Sequence, residues 1–205
     1  RQERLLHNHR LRRGDGPLTD RKAGDPVPAW PLVRRDELGD FRVFRVRRDV
    51  SVSPAKGSEH AFYVLEGADW VNVVALTGSG DMLFVRQWRH GTGSETLEIP
   101  GGCVDPGDAS PLEAARRELR EETGFVSDDW TELGWVSPNP AIQANRCFTF
   151  LARACRKVGE PTPDGTEDLR VETIPEAEVS GLVREGRIRH ALVLAAFHWY
   201  GLSAR

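Results

Sequence analysis

A chain of 205 residues is long enough for one sizeable domain with a small added layer. Its charged residues (29 %) and hydrophobic set (39 %) are ordinary for a soluble globular protein, and 28 basic against 31 acidic side chains leave a net charge of −3, which lends no support to a nucleic-acid coat or a membrane-surface protein. Three cysteines without CxxC spacing argue against a disulfide framework or structural zinc, no apolar run approaches the roughly 18 residues of a membrane span, and the first residues lack the apolar core of a signal peptide, so the cytoplasm is the expected location.

Residues 1–36 are rich in Arg, Asp, Gly and Pro without a sustained period and read as a mobile arm or irregular wrap. From Asp40 to Ser53 apolar and charged residues alternate, which predicts one or two strands with a wet face. A turn at 54–58 leads to a strand over 60–65, and 66–69 turns again. Apolar runs at 70–76 and 82–87, joined by Thr77-Gly78-Ser79-Gly80-Asp81, predict a hairpin. A short strand at 96–99 precedes a glycine-rich loop and then a helix over 111–123. Strands near 131–136 and 146–154, a polar loop at 160–168 and a strand at 170–173 follow. Two helices, 175–185 and 189–202, flank Gly186. Many strands around one central helix, with helices at the end, predict an α+β chain folded as an α/β/α sandwich on a mixed sheet, preceded by an N-terminal β extension. Residues 1–36, 37–68 and 69–205 are the expected divisions.

The helix has well-marked ends: Ser110 can cap, Pro111 takes the first helical position, Glu113 completes an S-x-x-E capping box, and Gly124 suits a left-handed stop. At 3.6 residues per turn, Leu112, Ala115 and Leu119 form a narrow apolar stripe, and Glu118, Glu121 and Glu122 fall within a neighbouring arc of roughly 100°. Like-charged neighbours on an exposed helix cost about 0.2–0.5 kcal/mol per pair. A hard divalent cation would remove that conflict, because Mg²⁺ takes carboxylate oxygens and keeps positions for phosphates. The residues alone also permit a solvated Glu/Arg helix with pairs such as Arg117–Glu121.

The segment resembles the Nudix hydrolase box, G-x5-E-x7-R-E-U-x-E-E-x-G-U with U an apolar residue. Arg117-Glu118-Leu119-Arg120-Glu121-Glu122-Thr123-Gly124-Phe125 fits its second half without a gap. The first half departs: counted from Gly102, the acidic position is Asp108, separated from Arg117 by eight residues instead of seven. This implies a one-residue insertion before the helix and leaves the role of Asp108 open. The resemblance implies Mg²⁺ or Mn²⁺ held by Glu118 and Glu122, with Glu121 sharing and the Gly101 carbonyl joining, and Arg117 orienting a glutamate.

The resemblance extends over roughly residues 40–200. Val85-Arg86-Gln87-Trp88-Arg89-His90 and Glu95-Thr96-Leu97-Glu98-Ile99-Pro100-Gly101-Gly102 are similar to the ADP-ribose pyrophosphatase branch, as is Pro140, although Pro138-Asn139-Pro140 reads equally as a rigid turn. Arg86 and Arg89 carry planar forks suited to phosphate or ribose. Three residues apart on a strand, at most one sits squarely on the site face, and Arg89 is favoured. Glu98 is expected to support the metal's surroundings or to serve as a hydrogen-bond partner. For the base, the resemblance points to a late loop, where Glu167 is the choice ahead of Glu160 and Asp164; Glu121 could serve instead. His90 and His190 are candidate acid–base groups that also read as packing or surface residues.

The branch implies hydrolysis of ADP-ribose to AMP and ribose 5-phosphate, with a nucleoside-diphosphate small molecule as partner. It also implies a homodimer that exchanges N-terminal strands, with residues 40–65 at the interface. The rivals are another nucleotide sugar, a dinucleotide, a non-catalytic Nudix module, or a scaffold without activity.

Overall fold

A computed structural model of the chain describes residues 25–162 and 168–203. By internal contacts these residues divide into two compact units, one built from the stretch up to Asp36 with Arg48–Phe62, the other from Glu37–Arg47 with Tyr63–Arg205.

Strands β1 (Leu32–Asp40), β2 (Arg45–Val52) and β3 (Glu59–Glu66) form a three-stranded sheet with β2 in the middle. The segment read as an arm therefore contains the start of a strand. Charge pairs cross its strands where an apolar period is lacking: Arg35 donates to Asp49 at 2.8 and 3.0 Å, and Arg48 to Asp36 at 2.9 Å. Trp30 stands edge-on to His60 and Phe62, with ring centres 5.6 and 5.3 Å apart. The alternating stretch 40–53 is broken at its start by a tight turn, in which Phe41 N–H donates to the Phe44 carbonyl at 2.9 Å and Arg42 adopts φ 67°.

The second sheet has the order β11 (Arg170–Pro175), β5 (Asp81–Arg89), β4 (Trp70–Thr77), β10 (Cys147–Lys157), β8 (Phe125–Val126). Strand β6 (Ser94–Glu98) pairs with β5, β7 (Gly101–Cys103) with β4, and β9 (Asp129–Val136) with β10. It is mixed: β10 runs parallel to β4, with Phe148 opposite Val71 and Leu151 opposite Val74, whereas β5 and β11 are antiparallel. Alternate side chains go to opposite faces. Val71, Val73, Ala75, Leu83 and Phe150 pack with Ala114, Ala115 and Leu119 of helix α1 (Pro111–Thr123). Val74, Met82, Phe84 and Leu151 pack with residues of α2 (Glu176–Arg184) and α3 (Ala191–Ser203). Apolar side chains on both faces make β4 and the first half of β5 near-continuous hydrophobic runs, and the result is the expected α/β/α sandwich. No helix among the described residues is long and apolar enough to cross a membrane, and all three cysteines are free.

The glycine-rich segment is a strand, not a loop. Gly101 and Gly102 pair with Asn72 and Val71 of β4. A Cβ on Gly101 would collide with the Val71 carbonyl and stand 3.0 Å from Asn72 Oδ1, so only glycine permits the pairing at this distance.

Candidate active site

Helix α1 begins and ends as its sequence dictates. Ser110 Oγ accepts from Glu113 N–H at 3.3 Å, Pro111 opens the first turn, and Gly124, at φ 74°, donates to the Arg120 carbonyl at 2.8 Å. A Cβ on Gly124 would come within 2.9 Å of the Gly159 backbone. Leu119 and Ala115 fix the helix's rotation against β4, and this rotation carries Glu118 and Glu122 inward with them. Glu118 is 9 % exposed and Glu122 only 1 %. Neither belongs to a solvated helix face.

Each buried carboxylate meets the glycine strand. Gly101 N–H donates to Glu122 Oε2 at 2.9 Å. A Cβ on Gly102 would lie 2.5 Å from Glu118 Cδ, so the missing side chain makes room for that carboxylate. Burying a charge in this way is costly unless it is paired or coordinates a metal.

Arg117 supplies part of the pairing. Its guanidinium donates to both oxygens of Asp108 (3.1 and 3.0 Å), to Glu118 Oε1 (3.0 Å), to Glu121 Oε2 (3.1 Å) and to the Cys103 carbonyl (2.9 Å). One planar fork thus ties two helix glutamates to the loop that precedes them. The Asp108 bond is the main cause that raises the Arg117 pKa, and the same bond holds the Asp108 carboxyl below the usual carboxylate range. This is the role that the irregular spacing left open. With one residue more in the loop, an aspartate, one carbon shorter than glutamate, reaches the guanidinium with both oxygens.

These donors fit a hard cation. Among the described residues no three His, Cys, Asp or Glu side chains converge into a ready-made cage. Mg²⁺ does not need one, since it is typically held through one or two carboxylates and completes its shell with water and substrate phosphate. Two buried carboxylates beside a glycine backbone, with Glu121 partly exposed at the rim, meet that description.

On β5 the two arginines leave opposite faces. Arg86 gives its guanidinium to Glu172 (2.6 and 3.0 Å) and Glu95 (3.0 Å), and the Glu172 bonds hold that carboxyl below its usual range. Arg86 lies on the side of Phe84, the face that packs against α2 and α3, and its guanidinium is held there in ion pairs. Arg89 donates to Glu98 through two bonds, at 2.9 and 2.8 Å, and Thr96 Oγ1 adds a third at 2.6 Å. Burial works to raise the Glu98 pKa; Arg89 and Thr96 outweigh it and keep the carboxyl below its ordinary value. Arg89 remains 44 % exposed, against 3 % for Glu98. Trp88 is exposed.

Pro140 is exposed in a turn in which Ile142 and Gln143 N–H both donate to the Asn139 carbonyl, and this turn pairs with Leu65. Its geometry is that of a turn former. Glu167 and Asp164 lie outside the described residues. Glu160 is exposed and pairs with Lys157 at 2.8 Å. Thr162 N–H donates to the Glu121 carbonyl at 2.7 Å, which fastens the start of that loop to α1. A cavity of about 880 Å³ opens along the outer side of α1, lined by Asp108, Arg117, Arg120, Glu121, Trp130 and Thr162 among others. Its lining includes Glu121 but not Glu118, Glu122, Arg89 or Glu98. Sequence reasoning singled out Asp108 by its irregular box spacing but left its role open, and it missed the contact between His190 and Glu98, for which the sequence offers no local signal.

A NUDIX domain family model matches residues 68–197. The chain is 31 % identical over 167 residues to the ADP-ribose pyrophosphatase of Mycobacterium tuberculosis, covering 81 % of this chain and 80 % of that one. It is 32 % identical over 156 residues to the ADP-ribose pyrophosphatase of Bacillus subtilis, covering 76 % and 83 %. The crystal structure of an ADP compounds hydrolase shares the fold, with a TM-score of 0.75 at 23 % identity over 86 % of this chain and 94 % of that one. The chain therefore belongs to the Nudix hydrolase family, in the branch that resembles the ADP-ribose pyrophosphatases, and is a Nudix hydrolase.

Proposed function

We propose that this hydrolase cleaves ADP-ribose to AMP and ribose 5-phosphate, with Mg²⁺ or Mn²⁺ as cofactor, in the cytoplasm. Two relatives of comparable length carry the name of that activity. The observation that carries the reading is the burial of Glu118 and Glu122 against the glycine strand, where nothing larger than glycine would fit. Glu118 and Glu122, with Glu121 and the Gly101 carbonyl, would hold the cation. When bound, such an ion neutralises phosphate charge and lowers the pKa of an attacking water.

The protein's own residues do the rest. Arg117 keeps Glu118 and Glu121 in one arrangement, so little reorganisation is needed when the substrate arrives. Arg89 supplies an exposed guanidinium for the diphosphate, and Glu98 orients it until then. Glu167 takes the proton from water, with Glu121 as the alternative acceptor. In the net reaction a water oxygen bonds to one phosphorus, the P–O–P bond breaks, and two phosphomonoesters leave. A homodimer is part of the reading; exposed Leu32, Val33, Phe62 and Tyr63 on the N-terminal strands support it.

The test is a panel of ADP-ribose, other nucleotide sugars and dinucleoside polyphosphates with Mg²⁺, with products resolved by chromatography. The expected result is AMP and ribose 5-phosphate from ADP-ribose, at the highest kcat/KM of the panel and dependent on the metal. Faster cleavage of a different nucleotide sugar, or no AMP, would replace the substrate. Light scattering on the eluting protein checks the dimer.

A further inference from the structure

Among the described side chains, His190 Nδ1 is the one buried polar atom without a hydrogen-bond partner. It lies 3.6 Å from Glu98 Oε2, just beyond bonding distance. The residue's backbone is fixed, because its carbonyl accepts from Leu194 N–H at 3.1 Å and so starts α3. The ring is not fixed in the same way, since the χ2 torsion of histidine is broad and a small turn costs little. An unmade bond at a buried nitrogen, aimed at a buried carboxylate, calls for an explanation.

The explanation lies in what Glu98 must do when substrate binds. Its Oε2 accepts from Arg89 Nη2 at 2.8 Å. On the reading above, that guanidinium turns to the diphosphate. Glu98, 3 % exposed, would then lose the donor at Oε2. We infer that His190 is a positioning residue whose Nδ1–H takes over Glu98 Oε2 as Arg89 leaves it for a substrate phosphate. The exchange needs only the neutral tautomer with its proton on Nδ1, and no charge changes. It makes Arg89 available without stranding a buried carboxylate oxygen.

The inference rests on the proposed substrate, and calorimetric titration of ADP-ribose into the metal-free protein separates the two. Wild type, His190→Ala, His190→Asn, His190→Gln, Arg89→Ala and the Arg89→Ala/His190→Ala double variant are compared. His190→Ala is expected to weaken binding about fivefold, the scale of one hydrogen bond. Asn, whose amide N–H₂ sits near the Nδ1 position, restores it, and Gln, whose amide lies one carbon further out, does not. Arg89→Ala weakens binding, and the double variant is no weaker than Arg89→Ala alone. If His190→Ala does not fold, the contrast of Asn with Gln carries the test. Unchanged affinity in His190→Ala, equal behaviour of Asn and Gln, or additive losses in the double variant would overturn the inference alone. Failure of the metal-free wild type to bind ADP-ribose would overturn the inference, which needs the contact of Arg89 with a phosphate, whereas no AMP from ADP-ribose in the Mg²⁺ panel would overturn the substrate reading.

Discussion

Arg35 and Arg117 both grip a carboxylate with two nitrogens, yet the two regions use the same chemistry for different ends. In the N-terminal strands Arg35 is half exposed on Asp49, and water screens the pair. On α1 the fork of Arg117 closes on Asp108, whose side chain is 9 % exposed, and reaches Glu118 and Glu121 from the same guanidinium. The first arrangement gives a strand a register in place of an apolar pattern. The second keeps carboxylates at fixed positions where they would otherwise repel one another. Burial, not the count of ion pairs, separates a surface device from a site.

The comparison is broken most sharply at Glu122. Glu122→Gln keeps the shape and the bond from Gly101 N–H, and turnover is expected to fall about a hundredfold or more, in steady-state kinetics with Mg²⁺, while the far-ultraviolet circular dichroism stays the same. Near-normal turnover would remove Glu122 from the metal's ligands. Gly102→Ala comes next. The new methyl displaces Glu118, so Mn²⁺ affinity measured by electron paramagnetic resonance should weaken about tenfold or more. Asp108→Asn removes one charge from the Arg117 grip without removing its hydrogen-bonding oxygen, and kcat is expected to fall about tenfold through misplaced glutamates.

Asp108 also has a pH signature. Its folded-state pKa lies below the unfolded value, so its contribution to stability is present above about pH 4 and is lost as the pH falls below that. Urea unfolding at neutral pH should show Asp108→Asn less stable than wild type, and the gap should close in acid. The smallest effect belongs to the surface pair: Arg35→Ala is expected to leave both turnover and the midpoint of thermal unfolding of the protein unchanged. A clear fall in the midpoint would show that the N-terminal strands depend on that pair after all.

Helix α1 was legible because its signals are local: a serine cap, a proline in the first turn and a glycine at the left-handed stop all act within a few residues. Strands β4 and β5 were legible because both faces are covered, which leaves an unbroken apolar run. The start of β1 was not, since its partners Asp49 and Arg48 stand more than ten residues away and its own apolar pattern is weak. Strand β7 was hidden because two glycines carry no alternation, although Gly101 is what lets β7 pair with β4 and Gly102 is what lets Glu118 approach. At the site, the spacing of the helix glutamates was readable, whereas the Arg117–Asp108 grip and the Arg89–Glu98–His190 contact depend on how separate strands and loops meet.

The account rests on two buried glutamates facing a divalent ion and a diphosphate. A crystal grown with Mn²⁺ and a non-hydrolysable ADP-ribose analogue, measured for anomalous scattering, addresses this most directly. The predicted result is a Mn²⁺ peak within bonding distance of Glu118, Glu122 and an analogue phosphate. Mn²⁺ bound elsewhere, with Glu122 still on the Gly101 N–H and the analogue's phosphates remote from α1, would contradict it.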